Sequence, residues 1–243
     1  MHYNVMKKTF PDGTMQLMYY EKPKETGYKY PPEMDKDGLS VERKEKENAS
    51  RAKRKVFEYV RSNSFDWFIT FTFNEDSVDR YDYNSCADAL KRYTDILYHR
   101  GHTWVIVAEQ HKDGAYHFHG VISGDLSVVP AINPITGKQL VKNNRKIFNV
   151  QNFKYGFTTA TKISDPVRTA TYLSKYLSKS MSVPKGRKRY WASRGLSLPI
   201  EERLQMTSCE FGEIFNTDGA FTKVMDTEWG MFLFCEIKGD LYE

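Results

Sequence analysis

The sequence predicts an α+β fold, a central antiparallel β-sheet with flanking helices, and three observations predict it. Short β-branched and aromatic runs recur between residues 67 and 163, two of them are joined by a turn carrying Asp113-Gly114, and segments with helical spacing and capping residues stand between the others. The composition agrees: 243 residues, 40 % hydrophobic and 28 % charged, match an ordinary globular protein of one or two domains with room for a sizeable core.

Taken in order, residues 1–40 are rich in Tyr, Pro, Gly and Lys without clear periodicity and read as an extended arm or irregular cap. A charged helix follows from about Val41 to Arg61, with eight bases and four acids; its few apolar positions, such as Val56, Tyr59 and Val60, lie near its end, so it is expected on the surface or on a ligand. Trp67 to Phe73 (WFITFTF), bounded by Asn74-Glu75-Asp76, is a buried strand. Ser85 with Asp88 three residues on resembles a capping box, and Ala89, Leu90, Tyr93 and Leu97 continue at helical spacing until Gly101. Thr103–Ala108 and Tyr116–Ile122 are strands paired through the Asp113-Gly114 turn. Residues 125–148 read as a loop or short insertion, Phe157–Ile163 as another strand, and Asp165 with Pro166 as the cap and first position of a helix to about Lys179. The order β-α-β-β-insertion-β-α is most economically a split βαβ, or ferredoxin-like, sheet. The expected organisation is an N-terminal arm and basic helix (1–62), a central domain (63–200) and an acidic segment (201–243), whose Met231–Cys235 run packs on or completes that domain.

No stretch reaches the ~18–20 apolar residues of a membrane span, and the N-terminus lacks an apolar signal core, so a soluble cytoplasmic protein with no membrane partner is expected. Cys86, Cys209 and Cys235 have no Cys-x-x-Cys spacing, which excludes a disulfide framework or structural zinc knot. Charge is unevenly spread. Residues 1–200 hold 33 bases against 21 acids, net +12, whereas 201–243 hold ten acids and three bases. Between Pro166 and Ile200 lie eight bases and no acid, which points to a polyanionic partner.

Two groups of residues carry chemistry. His117 and His119, two apart on a strand, project from the same face, and Glu109 ends the preceding strand where a tight turn brings it beside them. Two imidazoles and a carboxylate make a catalytic type of metal site, suited by donor type to Zn²⁺ or Mn²⁺, although a one-residue shift of the hairpin would substitute Gln110 or His111 for Glu109. The second group is the repeat Tyr172-Leu-Ser-Lys175-Tyr176-Leu-Ser-Lys179. Positions i and i+4 share a helical face, so the two phenols stack one turn apart with two lysines beside them. A phenol needs cationic neighbours or a base to act as a nucleophile at neutral pH, and a divalent ion polarising a phosphate would assist its attack. The loop around Arg187, Lys188, Arg189, Tyr190 and Trp191 interleaves cations with rings, a composition suited to single-stranded nucleic acid.

Phe68–Phe73, His117-Phe-His119 with Glu109 upstream, and the doubled Tyr-Leu-Ser-Lys together resemble the three ordered motifs of the HUH endonucleases. They look most like the rolling-circle replication initiators of phages and plasmids, of the two-tyrosine type. The resemblance spans roughly Trp67 to Lys179, and Tyr190–Leu196, which contains Trp191 and Arg194, is similar to a segment of plasmid and phage relatives. It implies the HUH endonuclease fold and the nicking and joining of single-stranded origin DNA through a 5′-phosphotyrosine, with Mg²⁺ or Mn²⁺ as cofactor. His117, His119 and Glu109 would be the metal ligands, and Tyr172 and Tyr176 the nucleophiles, with Tyr176 favoured as the first. Lys175 and Lys179 would contact phosphate or assist the phenols, and Asn74, Arg187, Lys188, Arg189, Trp191 and Arg194 would lie against DNA. No phosphate-binding Gly-x-x-x-x-Gly-Lys-Ser/Thr loop is present, so strand separation is expected from a host helicase and replication machinery. The same motifs serve transposases and mobilisation relaxases. A different class, a non-enzymatic module binding single-stranded nucleic acid, predicts no covalent step and no sensitivity to chelators.

Overall fold

The computed structural model describes residues 1–26, 39–179, 183–184, 186–227 and 230–238. The chain divides into two compact units, Leu39–Ser197 and the joined ends Met1–Gly38 with Leu198–Glu243. In chain order the elements are β1 (His2–Thr9), β2 (Met15–Glu25), α1 (Leu39–Ser62), β3 (Trp67–Phe73), α2 (Tyr83–His99), β4 (Trp104–Gln110) and β5 (Tyr116–Ile122). Then come β6 (Val128–Pro130), β7 (Val141–Lys142), β8 (Arg145–Lys146), β9 (Phe148–Val150), β10 (Gly156–Lys162), α3 (Pro166–Lys179) and β11 (Tyr190–Ala192), followed by β12 (Ile200–Leu204), α4 (Ser208–Phe215), β13 (Phe221–Thr227) and β14 (Gly230–Ile237).

The central unit is an antiparallel sheet in the order β11-β4-β5-β3-β10-β9-β6. β5 lies between β3 and β4 and is antiparallel to both, so β3, α2 and β4 make the expected split βαβ unit. Strict alternation along β3 separates the two faces of the sheet. Trp67, Ile69, Phe71 and Phe73 join Leu90, Tyr93, Phe118 and Ile122 in the core under α2. On the other face Val105, Val107 and Val121 pack with Val56 and Val60 of α1 and Ala170, Leu173 and Leu177 of α3. Helices therefore cover both faces, and the apolar positions near the end of α1 are what bring that helix onto the sheet, not onto the outer surface. Its expected grouping with an N-terminal arm is corrected: α1 belongs to the central unit.

Local signals explain the helix starts. α2 begins earlier than the Ser85 signal suggests, because Asp82 is the cap and accepts both the Ser85 N–H at 2.8 Å and the Ser85 hydroxyl at 2.7 Å. Asp165 caps α3 as expected, accepting the Arg168 N–H at 2.9 Å. The Asp113-Gly114 hairpin also forms, with Gly114 at φ 91° and the His111 N–H donating to the Ala115 carbonyl at 2.9 Å. The 125–148 segment is not an irregular loop. β6 and β9 extend the sheet beyond β10, and β7 and β8 pair as a small hairpin.

Residues 2–25 are largely strand, so the expected irregular arm is corrected too. Within the second unit β12-β1-β2-β14-β13 form an antiparallel sheet, and Val5, Leu17, Cys235 and Ile237 bury one face against Phe211 of α4. Thr207 and Glu210 form a full capping box at the start of that helix. The acidic C-terminal segment thus pairs with the N-terminus and does not complete the central sheet. Non-local strand pairing leaves little periodic signature in Tyr- and Lys-rich strands, which is why composition alone misreads this region. Cys86 and Cys235 are buried, Cys209 is exposed, and all three are free. Among the described residues no helix is long and apolar enough to cross a membrane.

Candidate active site

The register of three adjacent strands builds the site on the sheet face opposite α2. Glu109 of β4 lies directly across from His117 of β5, and Val107 across from His119. On the other side of β5, Thr70 and Thr72 of β3 face His119 and His117. The hairpin register thereby selects Glu109. Gln110 turns to the opposite face and donates its side-chain N–H to the Gly114 carbonyl at 2.9 Å.

Each imidazole is held at Nδ1, with the Thr70 hydroxyl 3.0 Å from His119 Nδ1 and the Thr72 hydroxyl 3.1 Å from His117 Nδ1. Nε2 is then the remaining ring nitrogen of each, and that of His119 lies 2.8 Å from Glu109 Oε2. Burial, and after it the neighbouring imidazoles of His111 and His119, push the His117 pKa down to about 4, so this ring is neutral at pH 7 and keeps a lone pair. His111 stacks on His117 with ring centres 3.8 Å apart and places Nε2 3.6 Å from the same Glu109 oxygen.

Two neutral-capable imidazoles, a carboxylate, and hydroxyls that orient the rings are a donor set that fits a divalent cation in type and in shared face. As placed, the side chains form a hydrogen-bonded cluster: Glu109 is bonded to His119, and among the described residues no group of three His, Cys, Asp or Glu side chains is gathered as a metal site.

α3 sets both phenols over this cluster. Leu173 and Leu177 are buried in the core shared with α1, and Tyr176, one residue before Leu177, faces the sheet. The Tyr176 ring is 8 % exposed and stacks on His119 with centres 3.9 Å apart and planes within 9°. Its hydroxyl donates to the Tyr172 hydroxyl at 2.6 Å, and burial followed by this hydrogen bond raises its pKa above the ordinary phenol range. Tyr172, half exposed, meets Phe68 edge-on at 5.5 Å. The expected pair of phenols on one helical face is therefore present, but the two differ in environment.

The remaining expected residues divide. Lys175 is exposed and lines the same groove as Tyr172, while the Lys179 side chain lies outside the described residues. Asn74 is engaged in its own turn, donating to Asp76 at 3.3 Å. Arg187, Lys188 and Arg189 line a separate cavity of about 940 Å³ together with Glu45, Asn48 and Tyr59, and Arg194 is exposed. Trp191 is corrected as a base-stacking residue. β11 pairs with β4, which turns the indole to the α2 side, where it stacks on Tyr83 at 6.2 Å and meets Phe118 edge-on at 5.0 Å. Thr70, Thr72 and His111 went unrecognised in the sequence as members of one cluster. Their signal was available in part, since the threonines alternate with the buried residues of β3, but only strand register sets them beside the histidines.

Residues 66–181 match the family model of the replication-associated protein ORF2, a segment that contains the whole histidine, glutamate and tyrosine cluster. Neither the curated proteins nor the solved structures yielded a match.

Proposed function

We propose that the protein initiates rolling-circle replication by nicking and rejoining single-stranded origin DNA through tyrosine transesterification. The observation that carries this reading is the chain of contacts from Tyr172 to Tyr176 to His119 to Glu109, lying inside a segment similar to replication-associated proteins.

Glu109, His117 and His119 would hold one divalent ion, Mg²⁺ or Mn²⁺, which when bound polarises a phosphodiester oxygen and makes phosphorus more electrophilic. The protein's own residues do the rest. The Tyr172 oxygen bonds to phosphorus and the bond from phosphorus to the 3′ oxygen breaks. The phenolic proton is lost and the 3′ oxygen ends as a hydroxyl. One phosphodiester replaces another, so the step runs in reverse to reseal a strand. Lys175, on the same helix and the same groove as Tyr172, supplies positive charge where the phosphoryl group gains negative charge. With two phenols, one holds the 5′ end while the other cleaves the regenerated origin. A host helicase supplies the separated strand.

The test is a denaturing gel of the protein with labelled single-stranded DNA and Mn²⁺, beside Tyr172→Phe, Tyr176→Phe, the double variant and an EDTA control. The expected result is a metal-dependent adduct that survives denaturation and is absent from the double variant. DNA bound under native conditions with no adduct under any metal would replace this reading with a non-enzymatic binding module.

A further inference from the structure

The insertion between β5 and β10 places charge beside the site. Its β7–β8 hairpin turns on Asn143 and Asn144, whose φ values of 49° and 61° are those of a tight two-residue turn. Arg145 donates to the Ser164 hydroxyl at 2.9 Å, which ties the hairpin to the start of α3. Hairpin, helix and the open hydroxyl-bearing face of β3 and β10 enclose a groove of about 790 Å³. Pockets of this size hold a small molecule, on the order of one or two nucleotides.

Lys142 and Arg145 line one side of the groove, and Arg168, Lys175 and Tyr172 the other. The one carboxylate in the lining, Asp165, accepts the Arg168 N–H as the helix cap. Among the described residues none of the four cations is ion-paired. Four unpaired cations, with hydroxyls between them, are donors for phosphate and sugar oxygens and not for base edges. The phenol that opens into this groove is Tyr172, whereas Tyr176 lies beneath it, buried on His119.

We infer that the groove between the β7–β8 hairpin and α3 holds the sugar-phosphate backbone of single-stranded DNA and presents a phosphodiester to the Tyr172 hydroxyl, so that Tyr172 meets the incoming strand first. This deepens the nicking and joining reading and rests on it for the role of Tyr172, while the binding groove stands on its own residues. Binding here is independent of sequence, and each cation removed lowers the salt dependence.

The experiment measures fluorescence anisotropy of the full chain with a labelled oligo(dT) across a salt series, and the adduct gel in parallel. The variants are Lys142→Ala with Arg168→Ala, Arg145→Ala alone, and Lys91→Ala on α2 as a control. The double variant is expected to bind about tenfold more weakly and to lose roughly 1.4 from the slope of log affinity against log salt, at ~0.7 per phosphate contact on a single strand. Arg145→Ala is expected to lose about half of that slope, and Lys91→Ala to match the wild type. If the double variant binds like Lys91→Ala while the wild type forms the adduct, the groove inference fails and nicking stands. If the double variant loses binding while the wild type forms no adduct, the groove stands and nicking fails. Equal losses on a DNA duplex or on oligo(U) would overturn the assignment to single-stranded DNA. Adduct formation surviving in Tyr172→Phe at the wild-type rate would overturn the order of the phenols.

Discussion

Replacing Gly156 by alanine tests how tightly the end of β3 is fixed beneath the site. Gly156 opens β10 opposite Phe73 at φ 149°. A Cβ there would lie 2.2 Å from the Thr72 carbonyl oxygen, 2.7 Å from the Asn74 nitrogen and 2.9 Å from the Phe73 carbonyl carbon. All three are backbone atoms, so no side chain can rotate away, and ordinary contact requires the two strands to part by about 1 Å. Overpacking costs ~1–3 kcal/mol, and holding alanine at this φ adds ~1–3 kcal/mol. At ~2–4 °C per kcal/mol for a chain of this size, the melting midpoint should fall by on the order of 10 °C. Gly101, at φ 78° with nothing within 4 Å of an added Cβ, isolates the conformational part, so Gly101→Ala should cost only ~1–2 kcal/mol. Thermal unfolding followed by circular dichroism compares the two. Equal shifts would refute the steric argument, since only Gly156 has backbone in the way.

The other predictions address the core, the site and its pH response. Leu173→Ala, at a fully buried position under α3, should cost ~2–5 kcal/mol in chemical denaturation; a loss below about 1 kcal/mol would mean α3 is not seated as described. Thr70→Val with Thr72→Val removes the partners of both Nδ1 atoms and should lower metal-dependent adduct formation by ~10–100-fold with the fold kept by circular dichroism; unchanged activity would remove the threonines from the site. EDTA should abolish the adduct and Mn²⁺ restore it. The Ser85 hydroxyl and N–H hold the Asp82 carboxyl below the usual range. That contribution is present above the unfolded pKa of ~3.9 and is lost as pH falls through the lower folded value. The stability gap between wild type and Asp82→Asn should therefore narrow in acid; a gap constant from about pH 7 to pH 2 would contradict the charged cap.

Local signals were legible wherever the chemistry is local. The alternation in β3, the Asp113-Gly114 turn, the Asp165-Pro166 helix start and the four-residue spacing of Tyr172 and Tyr176 are each set by neighbours in sequence, and the structure contains all of them. The match of residues 66–181 to replication-associated proteins covers this same legible stretch.

What the sequence determined by itself was thus the class of fold, the faces of individual strands and helices, and the presence of histidines, glutamate and phenols on them. Tertiary structure decided which faces meet. Hairpin register chose Glu109 over Gln110, strand pairing brought the threonines of β3 to the imidazole nitrogens and turned Trp191 into the core, and packing of α3 buried Tyr176 while leaving Tyr172 open. The chain ends, which carry no periodic signal, became one sheet only by pairing residues roughly two hundred positions apart. The physical reason is common to all of these. Periodicity fixes the direction of a side chain relative to its own element, but a one-residue shift between elements exchanges every partner, and that register is set by burial summed over the whole unit.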